Sequence, residues 1–418
     1  MHVLNIGSLN IDNVYQVPHF LRGGETVAAY RRTLHVGGKG LNQSVALARA
    51  GIASSHAGII GRDGEVLKNF LEAEGVNVAH VEMRADEASG HTVIQISPEG
   101  ENAILYYPGT NTCLTREFVK NAVSDLKEGD VLLLQNETNA IRDAIEIGLE
   151  KGLRIVFNPA PFDRSVPLLP LNQTAALILN EGEARGLYSM DEAAAENLDD
   201  LELLTALGER YPNTTLLITL GARGVAVRIP GQSPKLFPAY RVDAVVDTTA
   251  AGDTFTGYAV RALTLAWNAE EKGEDLARCR AILEDGIKYA VTAAALSVTR
   301  AGAGNQTIER VTKNAFFVAK MAGMGDVPIA RGSARPLLRP QVQVCSEIHG
   351  ETGLGVPVAE PERDPDPRPA AQFIVDVVMR EPEKSVTLVA TGPLTNVALA
   401  ARLEPKLVER VKQVVLMG

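Results

Sequence analysis

Over residues 1–315, short apolar-rich runs alternate with stretches of helical periodicity. Val3 to Ile6, Val131 to Leu134, Arg154 to Phe157, Ala176 to Leu179 and Thr215 to Thr219 have the length and composition of buried strands. Between them, Asn42 to Ala50, Gly64 to Gly75, Arg116 to Leu126, Ala140 to Lys151 and Leu201 to Glu209 space their apolar residues as helices do. This alternation predicts an α/β fold, a mostly parallel sheet with helices on both faces. His91 to Ile96 and Ala103 to Tyr107 flank a Pro-Glu-Gly-Glu-Asn turn, a hairpin signal. Lying outside a parallel sheet, that hairpin would form a small β lid over the strand ends.

The last hundred residues have another character. Of 22 prolines, 11 fall after residue 319, whereas of 20 aromatic residues only Phe373 does. A second unit is therefore expected to begin near Ala319 to Asp326, in keeping with the two or three domains that 418 residues suggest. Pro357 to Pro369 reads as an extended loop, since closely spaced prolines sustain neither helix nor central strand. Beyond it, Val386 to Ala390 reads as a strand, Gly392-Pro393 as a turn and Asn396 to Leu403 as a helix. Val411 to Met417 reads as another strand.

Charge narrows the partners. With 41 Lys+Arg against 51 Asp+Glu, the formal charge is −10, which argues against a nucleic-acid binder. No run approaches ~18 apolar residues, so no membrane span is expected. The start, MHVLNIGSLNIDNVYQ, lacks a basic region before a long apolar run, and Cys113, Cys279 and Cys345 are isolated and odd in number. A reducing, cytoplasmic location without a cysteine metal site is the expectation.

Four polar runs carry candidate chemistry. Asp247-Thr248-Thr249-Ala250-Ala251-Gly252-Asp253-Thr254-Phe255 follows a β-rich stretch and precedes the helical pattern Phe255 to Ala266. Small residues at a helix start let backbone N–H groups face an anion. Asp253 beside them could take a proton from a hydroxyl attacking a phosphate; a simple helix cap explains the same letters. Gly37-Gly38-Lys39-Gly40-Leu41-Asn42 offers close backbone approach and donors for a polyhydroxylated ligand, or is a plain loop into a helix. Lys39 is not followed by Ser or Thr, so this is no Walker A loop. Asn10 and Asp12 follow the first strand, where ligands of open α/β sheets bind, or are turn residues. Asn180-Glu181-Gly182-Glu183 could hold magnesium through water, or be an N-cap with an acidic first turn.

Taken in order, GSLNID, GGKGLNQSVALARAG, SGHTVIQISPEGENAILYYPGTN, NEGE, TLGARG and AVVDTTAAGDTFTG resemble the PfkB carbohydrate kinase family, in its ribokinase form, over about residues 1–315. The resemblance implies a Rossmann-like fold with a β lid (about 12–36 and 90–110) that often forms a dimer contact, and ATP-dependent phosphorylation of ribose at its 5-hydroxyl. Asp253 would be the base, and Ala250, Ala251 and Gly252 the anion hole. Asn10, Asp12, Gly38, Lys39, Asn42 and Glu137 would bind the sugar. Asn180, Thr219, Gly221 and Gly224 would lie along ATP, with Glu183 reaching Mg²⁺ through water. Asp247, Thr249, Arg300 and Gly302 would shape a monovalent-cation site for potassium, although Gly304-Asn305-Gln306 departs from the serine that often closes it. A kinase of another sugar or of a nucleoside is the alternative.

From about Ala322, VPIARGSARPL, SEIHGETGLG and VTLVATGPLTNVALAARLEPKLVERVKQVVLMG resemble the inosine-uridine nucleoside hydrolases. Residues 316–325 would be a linker and 326–418 a partial unit. That family's aspartate-rich calcium motif occurs nowhere in the sequence, and Thr391 alone would be one neutral ligand. No hydrolase activity is therefore expected.

Overall fold

The structure is a computed structural model. It describes residues 1–416 except 99, 190–197, 241–249, 299–307, 322–323, 325, 334–360, 362 and 391–393. The described residues form two compact units, the first ending at Ala295 and the second starting at Leu296.

The first unit runs β1 (Val3–Ile6), β2 (Asn10–Gln16), β3 (Arg31–Gly37), α1 (Lys39–Arg49), β4 (Ser54–Ile60), α2 (Glu65–Ala73), β5 (Asn77–Met83), β6 (Gly90–Ile96) and β7 (Asn102–Tyr107). There follow α3 (Arg116–Ala122), β8 (Val131–Gln135), α4 (Ile141–Glu150), β9 (Arg154–Asn158), β10 (Ala176–Asn180), α5 (Glu181–Tyr188) and α6 (Asp200–Arg210). β11 (Thr215–Thr219), β12 (Val225–Arg228), β13 (Lys235–Phe237), α7 (Ala251–Glu271) and α8 (Leu276–Ser297) complete it.

Nine strands form the central sheet in the order β13-β12-β11-β10-β9-β8-β1-β4-β5. All neighbours are parallel except β11/β12 and β12/β13. The expected Rossmann-like α/β architecture is the one observed. The strands read as continuous apolar runs because successive side chains enter opposite cores. Leu132, Leu134, Ile155, Phe157, Leu177 and Leu179 pack with α4 and α6, whereas Val131, Leu133, Val156, Ala176 and Ile178 pack with α7 and α8.

A second sheet, β3-β2-β6-β7, forms the lid. Its β6/β7 hairpin is the expected one. Asn10 and Asp12, read from sequence as loop or turn residues, instead begin a strand that pairs with both β3 and β6. The reason is local: only Gly7–Leu9 separate β1 from β2, a link too short to show in sequence where the lid strand begins. β4, β5, β12 and β13 were absent from the expected elements. β4 opens on Ser-Ser-His, and β12 and β13 are too short to show a period. α7 also starts earlier than Phe255, in small residues that carry no apolar periodicity.

The second unit contains α9 (Ile308–Met321), α10 (Ala370–Arg380), β14 (Thr387–Ala390), α11 (Thr395–Leu403), α12 (Leu407–Arg410) and β15 (Gln413–Leu416). β14 and β15 pair in parallel, and Ala371, Val378, Ala400, Leu407 and Val411 form a small core of their own. The Arg368 guanidinium bonds both oxygens of Asp366 and holds that carboxyl down at about 2. The Gly392-Pro393 turn and Thr391 lie outside the described residues, as does Cys345. Among the described residues, no helix is long and apolar enough to cross a membrane.

Candidate active site

The site forms where α1 and α7 meet beside the ends of β8, β9 and β10. Two glycines permit that meeting. A Cβ on Gly257 of α7 would stand 2.4 Å from Ala46 Cβ and 2.9 Å from its backbone, so the helices cross at glycine distance. A Cβ on Gly40 would stand 2.4 Å from Ser8 N and 2.5 Å from Gly7 C, which seats the start of α1 directly on the chain leaving β1.

Asp253 lies buried in the first turn of α7. Its Oδ1 accepts from Gln43 Nε2 at 2.9 Å and its Oδ2 from Asn42 Nδ2 at 3.0 Å. Burial pushes its carboxyl above the ordinary range, while the Lys39 ammonium and the two amide donors oppose that push. Ala250 caps α7 in a left-handed conformation (φ 61°, ψ 7°), and its own side chain makes no capping hydrogen bond. A Cβ on Gly252 would meet nothing within 4 Å. A helix start of small residues, with the positive end of the helix dipole, is an arrangement able to receive phosphate.

Around Asp253 the expected sugar ligands assemble. Glu137 follows β8; its Oε2 accepts from Ser8 Oγ and from the Lys39 backbone N at 3.0 Å. Asp12 Oδ1 accepts from Thr92 Oγ1 of the lid at 2.6 Å, and Asn10 Oδ1 from Asn111 Nδ2 at 2.8 Å. The Tyr106 phenol, also from the lid, interacts with Asn10 and Asn111. Burial raises the carboxyls of Glu137 and Asp12 too.

On the nucleotide side, Asn180 and Glu183 form a reciprocal capping box at α5. Asn180 Oδ1 takes the Glu183 N–H at 2.8 Å, and the Glu183 carboxylate takes the Asn180 N–H at 2.8 Å. The helix-cap reading is therefore correct. Glu183 is buried and raised by that burial, and it senses both Lys39 and Asp253. Thr219 pairs with Asn180 across β10/β11, and Gly221 and Gly224 form the turn into β12. Among the described residues no cluster of three His, Cys, Asp or Glu could cage a metal. One carboxylate at a phosphate-receiving site suits Mg²⁺ carried on nucleotide oxygens. Asp247, Thr249, Arg300 and Gly302, expected around a monovalent cation, lie outside the described residues.

Sequence reasoning assigned no role to Ser8, Gln43, Thr92, Asn111, Gln135 or Asn158. Gln135 and Asn158 had a visible signal, as the polar last letters of the apolar strands VLLLQ and RIVFN.

Residues 2–310 match the model of the pfkB family carbohydrate kinases. The chain belongs to that family. A ribokinase of Haemophilus influenzae is 35% identical over 310 residues, covering 71% of this chain and 92% of that protein. The structure of Arabidopsis thaliana ribokinase complexed with ribose and ATP superposes with a TM-score of 0.60 at 25% identity, covering 72% of this chain and 93% of that one. The chain is thus a pfkB sugar kinase followed by a nucleoside hydrolase-like segment. Residues 288–418 match the inosine-uridine preferring nucleoside hydrolases. The Leishmania major enzyme of that name is 52% identical over 117 residues, which cover 28% of this chain but 37% of that protein.

Proposed function

We propose that the kinase unit transfers the γ-phosphoryl of ATP to the 5-hydroxyl of D-ribose, giving ribose 5-phosphate and ADP. The observation that carries this reading is Asp253, a buried carboxylate held by two amide donors next to an open helix start. Asn10, Asp12, Gly38, Lys39, Asn42 and Glu137 hold the sugar. Asp253 takes the proton of the 5-hydroxyl as that oxygen attacks the γ-phosphorus and the bond to the β-phosphate oxygen breaks. The N–H groups of Ala250, Ala251 and Gly252 meet the charge on the transferred group. Asn180, Thr219, Gly221 and Gly224 lie along ATP. Glu183 would hold Mg²⁺ through water, and the ion would supply charge neutralisation for the phosphates. The lid keeps out water that would otherwise accept the phosphoryl group.

Potassium activation, a homodimer through the lid and a cytoplasmic location belong to the same proposal. Exposed Leu34, Ile104 and Leu105 on the lid strands support the dimer. A division into a kinase domain (1–315), a linker (316–325) and a partial hydrolase-like unit (326–418) without hydrolase activity is also part of the proposal. The test is a phosphotransfer panel of ribose, deoxyribose, fructose and nucleosides, with and without potassium. Ribose giving the highest kcat/KM supports the reading; preference for a nucleoside or fructose makes the chain a different kinase of the family.

A further inference from the structure

Gln43 is completely buried on α1, one residue beyond Asn42, and reaches the other oxygen of the same Asp253 carboxylate. Both its N–H groups and its oxygen are engaged. Nε2 donates to Asp253 Oδ1 and to Asn158 Oδ1, each at 2.9 Å, and Oε1 accepts from Gln135 Nε2 at 2.8 Å. Gln135 Nε2 also donates to Asn5 Oδ1 at 2.9 Å.

A carboxamide can be reversed, so what matters is what fixes the direction of each one. Two main-chain carbonyls do, because a carbonyl can only accept. Asn158 Nδ2 donates to Ile178 O at 2.8 Å, which leaves its Oδ1 to accept from Gln43. Asn5 Nδ2 donates to Gly40 O at 2.8 Å and to Ser44 Oγ at 2.9 Å, which leaves its Oδ1 to accept from Gln135. Gln135 must therefore turn its NH₂ inward, and Gln43 must turn its oxygen to Gln135 and its NH₂ to Asp253. The network carries no charge of its own. His56, at its far end on Ser44 Oγ, is pushed down to about 4 by burial and stays neutral.

This polarity has a visible cost. Gln135 Oε1 is buried with no hydrogen-bond partner among the described residues. It occupies the space a Cβ on Gly7 would fill, 2.2 Å away. An orphaned buried carbonyl opposes stability, yet reversing Gln135 would set its oxygen against two others.

We infer that Gln43 is a positioning residue for the transfer step, its N–H locked toward Asp253 through Gln135, Asn5 and Asn158 so that the base is held ionised and in one rotamer. The inference deepens the kinase reading and rests on it. Asp253 also faces Lys39 from α1, Asn42 from α1, Glu137 from the end of β8 and Glu183 from α5. Gln43 is the donor among these that does not also face the sugar or the nucleotide.

The experiment compares wild type with Gln43→Met and Gln135→Met, two volume-conserving changes, using ribose and MgATP across pH. In Gln43→Met, kcat is expected to fall roughly 10- to 100-fold, the worth of a hydrogen bond to a charged group. The acid limb of its kcat profile moves upward by about one to two pH units. KM for ribose stays within about threefold, because Gln43 does not face the sugar. Gln135→Met takes the donor from Gln43 Oε1 and Asn5 Oδ1 and removes one of the two constraints on the direction of Gln43, Asn158 keeping the other, so it moves the limb the same way by less. In parallel, the Asp253 carboxyl carbon is titrated by ¹³C NMR in ligand-free protein and is expected to titrate higher in both variants. If neither the NMR titration nor the acid limb moves, the inference is wrong. If wild type fails to phosphorylate ribose while the NMR titration still moves, the substrate reading fails and the positioning role stands. Should Gln43→Met not fold, Gln135→Met decides alone.

Discussion

Asp253→Asn separates catalysis from folding. The substitution exchanges one carboxylate oxygen for an NH₂ while two donors, Gln43 Nε2 and Asn42 Nδ2, face the group at 2.9 and 3.0 Å. Gln43 cannot reverse, for the reasons above, so the new Asn must turn its oxygen toward it. Asn42 reverses instead and accepts from the new NH₂, and no hydrogen bond is lost. Burial holds the Asp253 carboxyl above its ordinary value of 3.8 in the folded chain. Ionising it there works against folding: that penalty is absent below the unfolded value and grows as pH rises through the folded one. The neutral variant escapes the penalty, so its Tm at pH 7 is expected at or above wild type, with the gap closing toward pH 4. Loss of the base costs about 10²- to 10⁴-fold in kcat, or about 2.7–5.5 kcal/mol of barrier. Coupled ADP release with ribose measures the first effect, and calorimetry of ligand-free protein the second. A variant with kcat within tenfold of wild type removes Asp253 from its role. A large fall in Tm accompanying the activity loss shows that the carboxylate serves the fold instead.

Further outcomes are expected. Gly40→Ala drives a methyl into the Gly7–Ser8 backbone, an overpacking worth about 1–3 kcal/mol and a Tm loss of roughly 2–5 °C by calorimetry. Glu137→Gln keeps both acceptor contacts of its Oε2 but removes a carboxylate raised above 4.5 by burial. Its Tm advantage over wild type should be nil near pH 4 and widen toward pH 7, and a constant gap would contradict the burial account. Thr92→Ala removes the lid's 2.6 Å bond to Asp12. The sugar KM should rise about 3- to 10-fold with kcat little changed. A chain ending at Val318 should retain the kinase kcat if the hydrolase-like segment is dispensable to it, whereas lost activity or solubility would give that segment a structural role.

Much of this was legible in the letters. Runs such as VLLLQ and ALILN announce strands covered on both faces, and the order of the glycine-rich runs announces the site. Asn10 and Asp12 were legible as site residues but not as strand residues, because β2 begins without the turn that normally separates elements. The amide network was illegible as a unit. Asn5, Gln43, Gln135 and Asn158 stand far apart in sequence, and each alone is only a polar residue beside an apolar run. Their shared direction is a property of two carbonyls, Gly40 O and Ile178 O, which no side-chain pattern can display.

Ala250 sets a rule for variation that its neighbours do not share. Its φ of 61° lies where a Cβ crowds the following carbonyl and where β-branched side chains do not fit. In a saturation library selected for growth on the sugar, this position should return Gly, Ala and Asn and reject Val, Ile and Thr. Such a narrow alphabet would come from backbone geometry alone, at a residue whose side chain takes no part in the reaction.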